Sequence, residues 1–255
     1  MTKHSSQRED FEAGVFLVDK PAGLSSFAVI RRVKRILGIK KVGHAGTLDP
    51  FATGLLIVCA GRPATRLIDS FMGGIKGYEA VLQLGVATDT LDPEGVVIGI
   101  DPVPELTDKE IDKCLQSFKG EGLQAPPAYS AVKHKGKPLY HYARKGVVIV
   151  KPSRKIQIFS IDFISYDLAT GQLKFSVLCG KGVYIRVLAD DIAKRLGTCG
   201  HLVGLRRTRC GNFTVDRAVP GDQLLTLSYP DFLRDYMMSV EKASAINGEH
   251  EEITS

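Results

Sequence analysis

The stretch Gly43-His44-Ala45-Gly46-Thr47-Leu48-Asp49-Pro50-Phe51-Ala52-Thr53-Gly54 constrains the fold more than any other part of the chain. Three glycines, one proline, a lone histidine and a lone aspartate run straight into the apolar segment Leu55-Leu56-Ile57-Val58-Cys59-Ala60. This reads as a tight loop feeding a buried strand. Asp-Pro is a common turn pair, so the plain reading gives Asp49 a turn and His44 a local cap. The density of special residues argues for more. Gly43, Gly46 and Gly54 permit backbone geometry or close approach that other residues resist. A carboxylate held on such a loop beside a buried strand is where a scaffold aims a reactive group.

The elements around the loop are marked by pattern. Gly14 to Lys20 reads as a short buried strand ending at a Pro-x-Gly turn. Val29, Ile30, Val33, Ile36 and Leu37 recur at helical spacing, with Ser25 or Ser26 as cap and Gly38 as stop. That stripe leaves Arg31, Arg32, Lys34 and Arg35 largely outward. Tyr78 to Leu84 alternates as a strand. Thr107-Asp108-Lys109-Glu110 is a capping box that opens a helix. Two strands flank Ala169-Thr170-Gly171, and Ile185 to Leu196 has helical spacing ended by Gly197. A last strand starts at His201, and a short helix lies around Phe232–Val240. Strands and helices mix without regular β-α-β alternation, which predicts an α+β domain around a mixed sheet. The expected division is a flexible N-terminus over 1–13, one domain over 14–240, and a disordered tail over 241–255.

Charge points to a polyanion. The formal net charge is +6 and the pI about 9.0. Arg31 to Lys41 carries six Lys/Arg and no acid, and Lys133 to Lys145 carries five, again with no acid. Arg206, Arg207 and Arg209 form a third cluster. Acid-free clusters of this kind favour nucleic acid. Five scattered cysteines without a Cys-x-x-Cys pair argue for reduced thiols in a cytoplasm and against a zinc cluster. No run has the length of a membrane span, and residues 1–10 lack a secretory core. There is no P-loop, no dinucleotide fingerprint and no His-Glu-x-x-His. A reaction run by this chain therefore rests on side chains, with no cofactor and no metal expected.

Several segments together resemble the TruB family of tRNA pseudouridine synthases. They are Asp19-Lys20-Pro21-x-Gly23-x-Ser25-Ser26, the Gly43–Gly54 loop, Thr88-Asp89-Thr90-x-Asp92, Pro126-x-x-Tyr129-Ser130-Ala131-x-Lys133, and Tyr184-Ile185-Arg186. The resemblance covers roughly residues 14 to 216. It implies the pseudouridine synthase fold: a mostly antiparallel sheet with flanking helices and a central cleft. It implies isomerisation of uridine to pseudouridine in the T-loop of tRNA, at position 55. Asp49 matches the essential carboxylate, and the sequence leaves open whether it attacks sugar or base or triggers elimination. Arg186 matches the cation that keeps that carboxylate charged and aimed; read without the motif it is a surface helix arginine. Tyr78 matches the active-site tyrosine, and Tyr184 and Leu205 match uracil-pocket positions. His44 matches the residue that fills the gap left by flipped bases, and an imidazole is flat enough to stack there. Lys20 and Lys133 are read as substrate contacts, although a surface turn would suit Lys20 equally. Asp89 and Asp92 are read as turn formers. Many relatives carry a C-terminal PUA domain, and the stretch after Asp216 is too short for one.

A monomer that acts on tRNA with no obligatory protein partner is the expectation. Two rivals stand beside it. An RNA-binding module or tRNA folding helper would use the basic clusters without turnover. A hydrolase of small nucleosides would use the carboxylate, but a neutral substrate does not need such clusters.

Overall fold

A computed structural model describes residues 11–249, which form two compact units, residues 11–73 with 210–249 and residues 74–209. Residues 1–10 and 250–255, parts of the expected flexible ends, lie outside the described residues.

In the first unit β1 (Gly14–Lys20) leads into α1 (Ser26–Leu37), β2 (Val42–Ala45) and β3 (Thr53–Ala60). Ser25 caps α1 by accepting from Ala28 N at 3.1 Å, and Gly38 ends it at φ 70° with its N–H on Lys34 O. β1 pairs antiparallel with β3, and β2 flanks β3 on its other side, with His44 opposite Val58. The loop expected over Gly43–Gly54 is therefore the tip of a β-hairpin, because residues 42–45 already pair as a strand. Both faces of β1 and β3 are covered, so Leu55–Ala60 reads as an unbroken apolar run. Phe16, Val18, Leu56 and Val58 face α1 in one core. Val15, Leu17, Leu55, Ile57 and Cys59 belong to a second core with Phe71 and Phe213. Two short helices follow, α2 (Arg62–Thr65) and α3 (Ile68–Phe71).

The second unit opens with β4 (Lys76–Leu84) and the hairpin β5 (Val86–Thr88) and β6 (Val97–Ile100). The capping box of Thr107 and Glu110 starts α4 (Asp108–Gln116), which leads to β7 (Gly120–Gln124). A small hairpin, β8 (Lys133–His134) and β9 (Lys137–Pro138), precedes α5 (Leu139–Ala143). The long strands β10 (Arg154–Asp167) and β11 (Gln172–Cys179) lead through α6 (Ile185–Arg195) to β12 (Gly200–Cys210). The strand order is β12-β4-β11-β10-β7, and the β4-β11, β11-β10 and β10-β7 pairs are antiparallel. α4 packs on β10 and α6 on β4. Buried Ile111, Leu115, Leu173, Phe175, Leu188 and Ile192 supply much of this core.

The chain then completes the first unit. After β13 (Phe213–Thr214), β14 (Val219–Pro220) pairs parallel with β1. α7 (Tyr229–Tyr236) stacks Phe232 on Phe16, with ring centroids 4.4 Å apart and 8° between planes. α8 (Val240–Gly248) follows, where a disordered tail was expected. The one helix expected around Phe232–Val240 is two, because Met237 turns extended and Met238 bridges Val15 by two 2.9 Å hydrogen bonds. Ala243 is fully buried in the second core. Val240, Ala243 and Ile246 give one apolar contact per turn, too sparse to announce itself beside a polar end, which is why the tail looked disordered. Phe11 and Ala13 also pack against the cores, so the N-terminal part expected to be flexible is ordered there.

Candidate active site

Lys20, His44 and Asp49 belong to the first unit; Tyr78, Lys133, Tyr184, Arg186 and Leu205 belong to the second.

Asp49 sits half-buried at the hairpin tip, and the backbone on both sides of it is pinned. On one side, the Ser26 hydroxyl accepts from Leu48 N at 2.9 Å and lies 3.0 Å from Leu48 O, to which it donates. On the other side, Pro50 O accepts from Gly23 N at 2.9 Å and from Lys20 Nζ at 3.1 Å. A turn bond from Ala52 N to Asp49 O closes the tip. Gly46 at φ 87° and Gly54 at φ 98° bracket the tip in conformations that a side chain resists. The carboxylate is thereby aimed by neighbours whose own positions are fixed.

Lys20 is 0% exposed, so it is not the surface turn lysine that its sequence also allowed. Its ammonium also donates to Pro21 O at 2.9 Å and to Leu24 O at 2.6 Å. Three donors meeting three carbonyls use the group's donor capacity. Lys20, read as a substrate contact, also clamps the chain beneath the Asp49 tip. His44 lies on β2, half-buried, two residues before the chain bends at Gly46.

In the second unit Arg186 is 3% exposed, which removes the surface-arginine reading. It stands in the first turn of α6, where a cation opposes the helix dipole. Tertiary contacts hold it there. Nη1 donates to Thr90 O at 2.7 Å and to Asp92 Oδ2 at 3.1 Å, and Nη2 donates to Tyr129 O at 2.8 Å. Asp92, read as a turn former, is also the carboxylate partner of this guanidinium, and both side chains are buried. Its other oxygen accepts from Thr90 Oγ1 at 2.5 Å and Glu94 N at 3.1 Å. Asp89 does serve the turn, accepting from Val96 N at 2.8 Å. Leu91 between them has φ 62°, a strained conformation for a branched side chain, and strain of this kind collects at functional sites.

Tyr184 caps α6 without a capping side chain of its own. Buried Gln124 takes over: its Oε1 accepts from Tyr184 N at 2.7 Å and its Nε2 donates to Tyr184 O at 3.1 Å. The Arg154 guanidinium lies 5.3 Å from the Tyr184 ring centroid. Tyr78 is half-buried on β4 opposite Val177, Leu205 is buried on β12, and Lys133 is exposed on β8. Arg207, counted in a basic cluster, is 2% exposed and is no surface contact. Sequence reasoning missed Asp92, Tyr129 and Gln124 as supports. Asp92 and Tyr129 stand in motifs already singled out, whereas Gln124 carries no signal because its partner is distant in sequence.

A family model described as TruB family pseudouridylate synthase, N-terminal domain, matches residues 34–185. A second, described as tRNA pseudouridylate synthase B C-terminal domain, matches residues 186–244. The chain belongs to the TruB family. A tRNA pseudouridine synthase B from Desulfotalea psychrophila is 51% identical over 243 residues, covering 94% of this chain and 99% of that protein. One from Hydrogenovibrio crunogenus is 42% identical, covering 92% and 74%. Among solved structures, a Cbf5-Nop10-Gar1 complex matches with a TM-score of 0.70 at 28% identity. That match covers 91% of this chain and 62% of the solved chain, so this chain spans under two thirds of it. The mostly antiparallel α+β fold of the TruB family was the fold expected. Among the described residues no helix is long and apolar enough to cross a membrane.

Proposed function

We propose that the chain isomerises uridine to pseudouridine in tRNA, at the T-loop uridine, position 55, with Asp49 as the essential carboxylate. The reaction breaks the N1–C1′ bond and forms a C5–C1′ bond; C5 gives up its proton to solvent and N1 takes one up, so atoms balance without a co-reactant. The observation that carries this reading is the Asp49 hairpin itself: a carboxylate in the TruB motif, with both flanking residues pinned by buried side chains. Arg186 is assigned as the cation for the essential carboxylate, on its motif match and its burial. Tyr78 is assigned to the base and the C5 proton, Tyr184 and Leu205 to the uracil pocket, and His44 and Lys133 to RNA. Flipping a stacked base costs a few kcal/mol, and flat or apolar side chains offset part of that. The chain acts as a monomer in this reading.

The test is tritium release from a tRNA transcript labelled at uridine C5, with and without the position 55 uridine. Wild type should release label only when that uridine is present. Asp49→Asn should keep RNA binding and lose at least about 10⁴-fold in kcat, the scale on which essential nucleophiles act. Retained turnover in Asp49→Asn removes the assignment, and binding without release by wild type leaves an RNA-binding module.

A further inference from the structure

The outward face of α1 is not simply polar. Phe27, in its first turn, is 60% exposed, whereas Phe16, Phe71, Phe175, Phe213 and Phe232 are buried. The Arg31 guanidinium lies one turn on, 5.5 Å from the Phe27 ring centroid. Arg35 is exposed at the next helical step, and Leu24, three residues before Phe27, is exposed as well. No Asp or Glu occurs between Asp19 and Asp49. A phenyl ring in water gains nothing from helix propensity, since Phe ranks below many polar residues there.

This ledge is built into the support of the Asp49 hairpin, within the same unit. Leu24 O accepts from Lys20 Nζ, which also donates to Pro50 O. Ser26, the residue before Phe27, holds Leu48 through its hydroxyl. A molecule lying on the ledge is thus registered against Asp49 by a short, hydrogen-bonded path.

We infer that the Phe27–Arg31 ledge is a contact for the RNA substrate. A base or ribose packs on the Phe27 ring, and a backbone phosphate pairs with Arg31, with Arg35 extending the cationic track. An apolar protein partner would need a wider greasy surface; here the apolar part is one ring and the edge of Leu24, within an acid-free basic stretch. Flat rings beside cations match the chemistry of single-stranded nucleic acid. The inference rests on the reading of the chain as an RNA-modifying enzyme.

The full chain carrying Phe27→Ala, Phe27→Tyr or Arg31→Gln tests it, with tRNA transcript as probe in binding and tritium-release assays. Base stacking makes Phe27→Ala bind tRNA about tenfold more weakly. Its KM rises in step, while kcat at saturating RNA and the melting temperature match wild type. Phe27→Tyr keeps the ring and binds like wild type. Arg31→Gln lowers the slope of log affinity against log salt by about 0.7–0.9, the signature of one lost phosphate contact. Unchanged tRNA affinity in Phe27→Ala overturns the inference. So does a change in sedimentation without a change in RNA affinity, which would make the ledge a contact between copies. The two readings fail separately. Wild type that binds tRNA without releasing tritium sinks the enzyme reading, while the affinity ratio still decides the ledge.

Discussion

The Asp49 hairpin and the Arg186 cluster hold their charged groups by opposite means. The hairpin fixes its carboxylate through the main chain: Ser26 and Lys20 grip the backbone of Leu48 and Pro50, the residues on either side. The gripping side chains are close in sequence to one another and lie in one motif. Arg186 is fixed through its own side chain, by Asp92, Thr90 O and Tyr129 O, which come from two other segments of the chain. The first design makes the loop the stiff part. The second commits the charge itself to the scaffold, so that stability and position of the guanidinium are the same property.

The largest effect follows from that commitment. Asp92→Ala removes the carboxylate from a buried ion pair, and such half-removal costs about 3–5 kcal/mol. For a chain of this size that lowers Tm by about 10 °C. Thermal unfolding should show the loss, and tritium release should show a fall in kcat. The double variant Asp92→Leu/Arg186→Met sharpens the point: replacing both charges restores most of the stability and none of the turnover. If Asp92→Ala unfolds at the wild-type temperature, the guanidinium is not committed as argued.

The contrast also explains what was legible before any coordinates. The apolar stripe of α1, its Ser25 cap and Gly38 stop, and the capping box of α4 are local signals, and each element formed where its residues placed it. The Asp49 tip was legible because its glycines, proline and aspartate are contiguous. Burial of Lys20 was not, since a lysine beside a Pro-x-Gly turn gives no hint that three carbonyls converge on it. Asp92 was read as a turn residue because it is one as well: Thr88 Oγ1 donates to its carbonyl at 2.8 Å while its carboxylate faces Arg186. Helix α8 was missed because its one fully buried side chain, Ala243, is small, and Val240 and Ile246 pack beside it only partly buried.

A middle-sized effect is expected at Lys20. Lys20→Met keeps the length of the stem and deletes an ammonium that serves Pro21, Leu24 and Pro50 carbonyls. Hydrogen bonds from a charged donor are each worth about 1.5–3 kcal/mol, and Pro50 O keeps its bond from Gly23, so a loss near the lower end is expected. Urea unfolding reports the loss, and kcat falls with KM little changed, because the residue is buried beneath the tip. A large rise in KM with kcat intact would instead mean that Lys20 meets the RNA directly.

Ser26→Ala is the smallest and the most specific break. It removes one hydroxyl and strands a buried N–H and a buried C=O of Leu48, each next to Asp49. An unsatisfied buried group costs about 1–3 kcal/mol, and water reaching the tip offsets part of it, so about 1 kcal/mol of stability should go. The catalytic effect should exceed the stability effect, since a loose tip spreads the carboxylate over positions that do not react, and misplacement of about 1 Å costs up to about 10²-fold. Amide hydrogen exchange at Leu48 is the direct readout: it should quicken in Ser26→Ala and stay slow in Asp92→Ala. That dissociation separates a site held by its backbone from one held by its charge, and equal quickening in both variants would show that the two supports are one cooperative structure.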